Sequence, residues 1–268
     1  MAGERENAFA LRGRIAHFLG DPGMSPENLV HFEDGVLVVE DGKILLCDDA
    51  RSLAGAGFDL AQCEWLPNQL ILPGFIDTHV HSPQIDVIAS YGTQLLDWLN
   101  DYTFPAESRY AQRSFAEASA KDFLDYSPSV GTTTSFVYTT CYKQSTEALF
   151  EAALAKDMRL VAGKILMDQN ALPELQDTAA SGYQDSVDLI NEWHGKGRLG
   201  YAVTPRFSGT SSVEQLTLAG QLLKEFPDVW MQTHMSENLE EIRWLKTVHP
   251  HTADYLDSYE QYGLNTER

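Results

Sequence analysis

From residue 71 onward, segments of strand-like sequence alternate with segments of helical periodicity. Strands are predicted where β-branched, aliphatic and aromatic residues cluster, at 74–81, 131–140, 159–168, 199–207 and 229–237. Helices are predicted between and after them, at 109–123, 145–157, 211–226 and 238–248. The third of these helices is expected to begin with a capping box, Ser211-x-x-Glu214. Strand-then-helix units in series predict an α/β fold with a parallel sheet.

The arrangement of these units favours a (β/α)8 TIM-type barrel over a Rossmann sheet. No G-x-G-x-x-G fingerprint of a dinucleotide site follows any of the strands. A complete barrel of this type has eight units, whereas five are recognised in this chain. We therefore expect residues 71–268 to form a barrel that is truncated after about five units.

The first 70 residues have a different pattern, with short strand-like runs and no long helix. The stretch "GVLVVEDGKILLCDD" contains two aliphatic runs joined through Asp41-Gly42, which is a hairpin signal because the turn needs positive φ angles. Residues 1–70 are predicted to form a small β domain resembling a β-sandwich.

Composition limits the partners and the compartment of this protein. Acidic residues outnumber basic ones 39 to 19, and the net charge of −20 disfavours nucleic acids and anionic membrane surfaces. A small neutral ligand is compatible with that charge. The three cysteines form no C-x-x-C pair, and the sequence contains neither a signal peptide nor an apolar run long enough to span a membrane. These features predict a cytoplasmic protein.

Two histidines lie at the end of the first predicted barrel strand, in "LPGFIDTHVHSPQ". Side chains at positions i and i+2 of a strand point to the same face, so His79 and His81 can bind one metal ion together. The C-terminal ends of barrel strands carry the active site in this fold class. The pair by itself is also compatible with ordinary histidines on a half-exposed strand.

The motif "LPGFIDTHVH" resembles the first barrel strand of the amidohydrolase superfamily. Together with "HVHSPQ", "LLDWLNDYTFPAE", "GTTTSFVYTT", "YAVTPRFS" and "QTHMSEN", it resembles the guanine deaminase branch of that superfamily over residues 12–268. The resemblance implies hydrolytic deamination of guanine to xanthine and ammonia by a metal-activated water. It also implies one Zn²⁺ per subunit and a homodimer, although iron in place of zinc stays open.

The same resemblance implies roles for individual residues. His79, His81 and His234 correspond to metal ligands, and Glu237 corresponds to the general acid/base. Glu237 could also be a carboxylate that the helix dipole stabilises at the N-terminus of the following helix. Three further residues correspond to groups that bind the purine: Gln84, Arg206 and Phe207. Gln84 could otherwise be a solvated loop amide, and Arg206 could form a surface salt bridge. Trp98, Tyr102 and Phe104 resemble a loop that covers the substrate.

The resemblance also implies a histidine after the sixth strand and an aspartate after the eighth, and neither is found in this chain. His249 and His251 are interpreted as surface or subunit-contact residues. We expect the 268-residue chain by itself to have little or no deaminase activity. The alternatives are a non-catalytic fragment or isoform, or an amidohydrolase that acts on another purine, a pterin or a triazine. The unrelated H-x-E and P-C-x-x-C deaminase site is absent from the sequence.

Overall fold

A computed structural model describes residues 8–92 and 94–267 of the chain. The chain divides into two compact units, Met1–Gly74 and Phe75–Arg268. From sequence, the boundary was placed between residues 70 and 71. Among the described residues, no helix is both long enough and apolar enough to cross a membrane.

Among residues 8–74, the strands of the first unit form one four-stranded sheet. Its elements are β1 (Ala8–Phe18), β2 (Leu29–Glu40), β3 (Lys43–Asp49), α1 (Ala50–Gly55) and β4 (Glu64–Ile71). The strand order is β3-β2-β1-β4, with β4 parallel to β1 and the other pairs antiparallel. The expected sandwich is not found among residues 8–74, because their strands pair edge to edge in one sheet and leave none to form a second layer.

The predicted hairpin between β2 and β3 is confirmed. Asp41 and Gly42 form its two-residue turn, with φ angles of 49° and 74°. Positive φ at both positions matches the right-handed twist of the strands, and glycine adopts it without steric cost.

The second unit is built on a parallel sheet. Its strands are β5 (Phe75–His81), β6 (Thr132–Tyr138), β7 (Arg159–Gly163), β8 (Ile165–Leu166), β9 (Leu199–Pro205) and β10 (Trp230–Met231). Its helices are α2 (Leu95–Trp98), α3 (Phe104–Ser108), α4 (Arg113–Ser129), α5 (Lys143–Ala155), α6 (Ala179–Trp193), α7 (Val213–Glu225), α8 (Leu239–Val248) and α9 (Asp257–Glu260). The order β10-β9-β7-β6-β5, with β8 paired to β9, is parallel throughout. The predicted α/β class with a parallel sheet is confirmed.

The core of this unit lies between the sheet and the helices that cover it. All seven residues of β9 are buried, as expected for a parallel strand that is covered on both faces. Helices α4, α5, α6 and α7 contribute leucine, alanine and aromatic side chains to the same cluster. Each large apolar side chain that is fully buried stabilises the fold by about 1.5–3 kcal/mol, so this layer holds the strand ends in place.

The last strand predicted from the sequence is much shorter than expected. The sequence favours a strand over 229–237, but only Trp230–Met231 are in β10. The backbone N–H groups of Gln232 and His234 still donate to the carbonyls of Val203 and Arg206, at 3.1 and 3.2 Å. Ser236 then adopts a left-handed φ of 58°, which ends the extended conformation before the segment reaches α8.

The cap of α7 also differs from the prediction by one residue. The N-cap is Ser212, whose hydroxyl accepts a hydrogen bond from the Gln215 N–H at 3.1 Å. Ser211 is buried instead, and its hydroxyl donates to the Leu166 carbonyl. Adjacent serines are equivalent in a sequence pattern, and tertiary contacts decide which of them caps the helix.

A buried ion pair lies between the β7–β8 segment and helices α6 and α7. The Lys164 ammonium is 2.5 Å from an Asp177 carboxylate oxygen, and both side chains are almost fully buried. The second Asp177 oxygen accepts a hydrogen bond from the Gln215 amide at 2.7 Å. Burial raises the pKa of Asp177, while Lys164 opposes that rise. Neither member of the pair lines the cavity described below.

Candidate active site and metal centre

A cavity of about 500 Å³ opens at the C-terminal ends of β5 and β9, within the second unit. This is the end at which parallel α/β barrels carry their active sites. All seven site residues predicted from sequence line it: His79, His81, Gln84, Arg206, Phe207, His234 and Glu237. The fold therefore brings together side chains that are up to about 160 residues apart in the chain.

Three of these residues form a compact histidine cluster. His79 and His81 come from β5, and His234 follows β10. One ring nitrogen of each lies within 4.8 Å of the others, which suits three ligands of a single metal ion. The Nε2 atoms of His81 and His234 are 2.8 Å apart and point toward each other.

The hydrogen bonds of His234 fix its tautomer. Its Nδ1–H donates to the backbone carbonyl of Arg206 at 2.6 Å, so Nε2 keeps its lone pair. Metal-binding histidines commonly donate their second ring N–H to a carbonyl in this way. Burial lowers the pKa of His234 to about 3 and lowers the pKa of His81 well below its ordinary value. Both rings are therefore neutral near neutral pH, as metal ligands must be.

The donor set fits a divalent metal cofactor. Neutral imidazole nitrogens suit zinc and other first-row metals, and catalytic zinc sites use about three protein ligands with one position left for water. The Nδ1 atom of His81 is buried without a hydrogen-bond partner among the described residues. Its Nε2 faces the cluster, so this ring is positioned to offer Nε2 as a ligand.

Tyr138 holds the rings of the cluster and was not predicted from sequence. Its ring stacks on His81 with a centroid distance of 4.5 Å and an interplanar angle of 12°. It also contacts the rings of His79 and His234, at 4.9 and 4.4 Å. Tyr138 ends β6 and is buried. It therefore restricts the rotation of all three histidines.

Glu237 lies in the loop that carries His234 into α8. The Glu241 carboxylate accepts hydrogen bonds from the backbone N–H groups of Glu237 and Asn238, at 2.9 and 3.1 Å. These bonds compensate for the left-handed conformation of Ser236. Burial and the neighbouring Glu241 carboxylate raise the pKa of Glu237, which favours proton transfer near neutral pH. Asn238 and Glu241, and not Glu237, form the capping box of α8.

Two tyrosines near α9 support the same loop. The Tyr255 hydroxyl donates to the Glu241 carboxylate. The Tyr259 hydroxyl donates to the backbone carbonyl of His234 at 2.6 Å and accepts from the Ser208 N–H at 2.9 Å. The loop between β10 and α8 is therefore tied to a chain segment that follows it by more than 20 residues.

Replacing Tyr259 by Phe should destabilise the second unit by about 1–3 kcal/mol, because it leaves a buried N–H of Ser208 without an acceptor. The measurement is urea unfolding followed by tryptophan fluorescence. Tyr262→Phe is the matched control, since Tyr262 is a half-buried tyrosine of the same segment that packs against the core. Equal stability of the two variants would show that the Tyr259 hydroxyl contributes nothing to the fold.

Arg206 is buried and forms an ion pair that the sequence did not reveal. Its Nη1 donates to both carboxylate oxygens of Glu107, at 2.8 Å each, and both side chains are almost fully buried. The guanidinium also lies over the Phe104 ring at 5.1 Å. The alternative prediction of a surface salt bridge for Arg206 is wrong, because the arginine points inward and lines the cavity.

Glu107 reaches Arg206 from an irregular helical segment. A stretch of π-helix, Leu99–Thr103, separates α2 from α3, which contains Glu107. Pro105 follows the π-stretch at the start of α3. Because proline lacks an N–H and its ring conflicts with the carbonyl four residues earlier, the wider turn accommodates it.

The remaining predicted contacts are distributed around the cavity. Gln84 lies in the 3₁₀ turn that follows β5, and Phe207 follows β9 with its ring 5.9 Å from Trp244. Of the three aromatic residues compared with a substrate-covering loop, Trp98 lines the cavity and Phe104 packs under Arg206. Tyr102 does not line the cavity, and 38% of it is exposed.

The interpretation of His249 as a surface residue is wrong. His249 follows α8 and is buried, and its Nε2 is 2.7 Å from the Ser208 carbonyl, to which it donates. The end of α8 turns this ring inward toward the segment after β9. His251 is exposed, in agreement with its prediction.

The family follows from a match of the sequence to a family model. Residues 70–268, which include every element of the site, match the model of the amidohydrolase family. The chain belongs to the amidohydrolase family. The H-x-H pair that ends β5 and the histidine after β10 are thus part of an amidohydrolase domain.

Individual amidohydrolases resemble the chain over nearly its whole length. Guanine deaminase of Escherichia coli (strain K12) is 43% identical over 95% of this chain and 59% of its own length. The structure of E. coli guanine deaminase superposes with a TM-score of 0.89 at 39% identity, covering 98% of this chain and 60% of that one. The structure of guanine deaminase from C. acetobutylicum with bound guanine gives a TM-score of 0.85 at 27% identity, over 96% and 60% of the two chains. The chain therefore spans about 60% of the length of these relatives.

Proposed function

We propose that the protein catalyses the hydrolytic deamination of guanine to xanthine and ammonia. The observation that carries the proposal is the cavity in which Arg206 and Gln84 line the same space as the three-histidine cluster and Glu237. The similarity of the chain to guanine deaminases supports guanine as the substrate. The chain spans about 60% of the length of these relatives, so their activity is stated for this protein as a proposal.

His79, His81 and His234 would hold the metal ion, and we propose zinc because the three donors are imidazole nitrogens. A divalent metal bound there supplies the acidity that makes a water molecule nucleophilic near neutral pH. Tyr138 and the Arg206 carbonyl keep two of the ligand rings oriented. Outer contacts of this kind tune metal affinity.

The other residues bind guanine and move protons. Arg206 donates hydrogen bonds to the purine oxygen, Gln84 hydrogen-bonds the ring edge, and Phe207 packs against the ring. Glu237 accepts a proton from the attacking water and delivers it to a ring nitrogen of guanine. A carbon–oxygen bond forms at the carbon that bears the amino group, and its carbon–nitrogen bond breaks. One guanine and one water thus give one xanthine and one ammonia.

The direct test is conversion of guanine to xanthine by purified, metal-loaded protein, followed by ultraviolet absorbance and by ammonia release. Metal content is measured on the same sample. Adenine, a pterin and a triazine amine are assayed in parallel, and faster turnover of any of them than of guanine would reject guanine as the substrate. A homodimer and a cytoplasmic location stay predictions.

Arg206→Lys should raise the KM for guanine about 10–100-fold, with a smaller effect on kcat. Lysine offers a point charge instead of a planar set of donors, and the loss of one charge-assisted hydrogen bond costs about 1.5–3 kcal/mol. Steady-state kinetics with guanine measure the effect. Arg243→Lys, an exposed position on α8, is the control. An unchanged KM in Arg206→Lys would remove Arg206 from the purine site.

A further inference from the structure

The ion pair between Arg206 and Glu107 places a negative charge directly behind the arginine that lines the cavity. Glu107 is fully buried and does not line the cavity, whereas Arg206 does. Both carboxylate oxygens accept from one nitrogen, Nη1. An ionised carboxylate accepts at both oxygens, and this arrangement leaves the Nε and Nη2 donors for the cavity.

The other titratable residues that line the cavity make the charge of Arg206 important. Among the described residues that line the cavity, three carry carboxylates: Asp77, Glu237 and Glu241. Arg206 is the one arginine in this described lining, which contains no lysine. An arginine without a counter-charge in this position would attract anionic ligands, because charge interactions are strong in a partly desolvated site.

We propose that Glu107 is a specificity-determining residue that cancels the charge of Arg206 while leaving its outer donors free, so that the cavity binds neutral oxopurines in preference to anionic ones. This inference rests on the proposed function and adds to it a preference for the charge of the ligand. Glu107 does not touch the ligand; it acts through Arg206. The same arrangement favours release of a product that is more acidic than the substrate, and replacing an amino group by an oxygen makes a purine more acidic.

The buried pair also explains why Arg206 rather than lysine suits this position. The fork of the guanidinium contacts Glu107 through one nitrogen and still presents a second edge to the cavity. Phe104 supports the face of the guanidinium at 5.1 Å. Glu107 and Phe104 thus hold the Arg206 guanidinium in place. Its remaining donors are already oriented when a ligand enters the cavity.

The test compares two ligands of the same shape and different charge. Hypoxanthine is neutral, whereas 8-azahypoxanthine, with nitrogen in place of the C8–H group, is an anion at slightly alkaline pH. Dissociation constants of both are measured by isothermal titration calorimetry on the wild-type protein and on Glu107→Gln, with equal metal content. Glutamine keeps the size of the side chain and one acceptor for Nη1, but it removes the charge.

We expect wild-type protein to bind the neutral ligand more tightly, and we expect Glu107→Gln to shift the ratio of the two dissociation constants about tenfold toward the anion. Asp177→Asn is the matched control, because it removes the charge of a buried ion-paired carboxylate that does not line the cavity; its ratio should equal the wild-type value. An unchanged ratio in folded Glu107→Gln protein overturns the proposal. If that variant does not fold, equal affinity of wild-type protein for the two ligands overturns it.

These outcomes are separate from those of the guanine assay. Failure to convert guanine would reject the proposed reaction but leave the charge preference measurable by binding. Conversion of guanine together with an unchanged ratio would uphold the reaction and reject the role of Glu107.

Discussion

His234→Ala should abolish guanine turnover and weaken metal binding at least about hundredfold, since even the loss of an outer contact to a metal ligand costs 10–100-fold. The substitution removes one of three clustered imidazoles, and the Nε2 of this residue lies 2.8 Å from the Nε2 of His81. Two histidines cannot replace the third, because catalytic zinc needs about three protein ligands. Metal content after dialysis and guanine conversion measure the two effects.

The control for this experiment is His251→Ala, which removes an exposed imidazole close to α8. It should keep the metal content and turnover of the wild-type protein. Circular dichroism establishes that both variants are folded. Full metal occupancy in His234→Ala would mean that His234 is not a ligand of the bound metal.

Glu237→Gln should lower kcat for guanine about 10²–10⁴-fold, the contribution typical of a general acid/base, and leave the metal content unchanged. Glutamine is close to glutamate in shape but cannot take up the proton of the attacking water. The backbone N–H of Glu237, which donates to Glu241 at 2.9 Å, is retained in the variant. The loop conformation should therefore survive.

Glu240→Gln is the matched control, because Glu240 lies on the first turn of α8, is exposed, and pairs with Arg243 on the surface. Its kcat should remain within about twofold of the wild-type value, since exposed ion pairs contribute little. A Glu237→Gln protein with normal kcat would assign the proton transfer to another group.

The parts of the fold that depend on local sequence were predictable. The hairpin at Asp41-Gly42, the strand that ends in His79-x-His81 and the helix that begins near Asn238 all depend on neighbours within a few residues. The predicted ligands His79, His81 and His234 come together because parallel strands bring their C-terminal ends to one edge of the sheet. The strand period predicts that His79 and His81 share a face, whereas His234 was added by the resemblance to the amidohydrolase superfamily.

The residues that support the site were missed because their partners are distant in sequence. Glu107 and Arg206 are 99 residues apart, and no local pattern distinguishes Glu107 from the other acidic residues of an acidic protein. Tyr259 contacts His234 across 25 residues of loop and helix. Glu241 did carry a signal, since Asn238-x-x-Glu241 is the pattern of a capping box. The inward turn of His249 depends on where α8 ends relative to Ser208, which is a tertiary property.

Arg206 takes part in both halves of the site. Its side chain lines the cavity, and its carbonyl accepts the Nδ1–H of His234 at 2.6 Å. In the proposed complex, a purine that binds the guanidinium, which Glu107 and Phe104 already hold in place, contacts the same residue whose carbonyl orients His234. We therefore expect the purine and the metal ion to share a coupling free energy, and linkage requires that each change the affinity of the other by the same factor. Metal retention would then depend on the bound purine as well as on the three imidazoles.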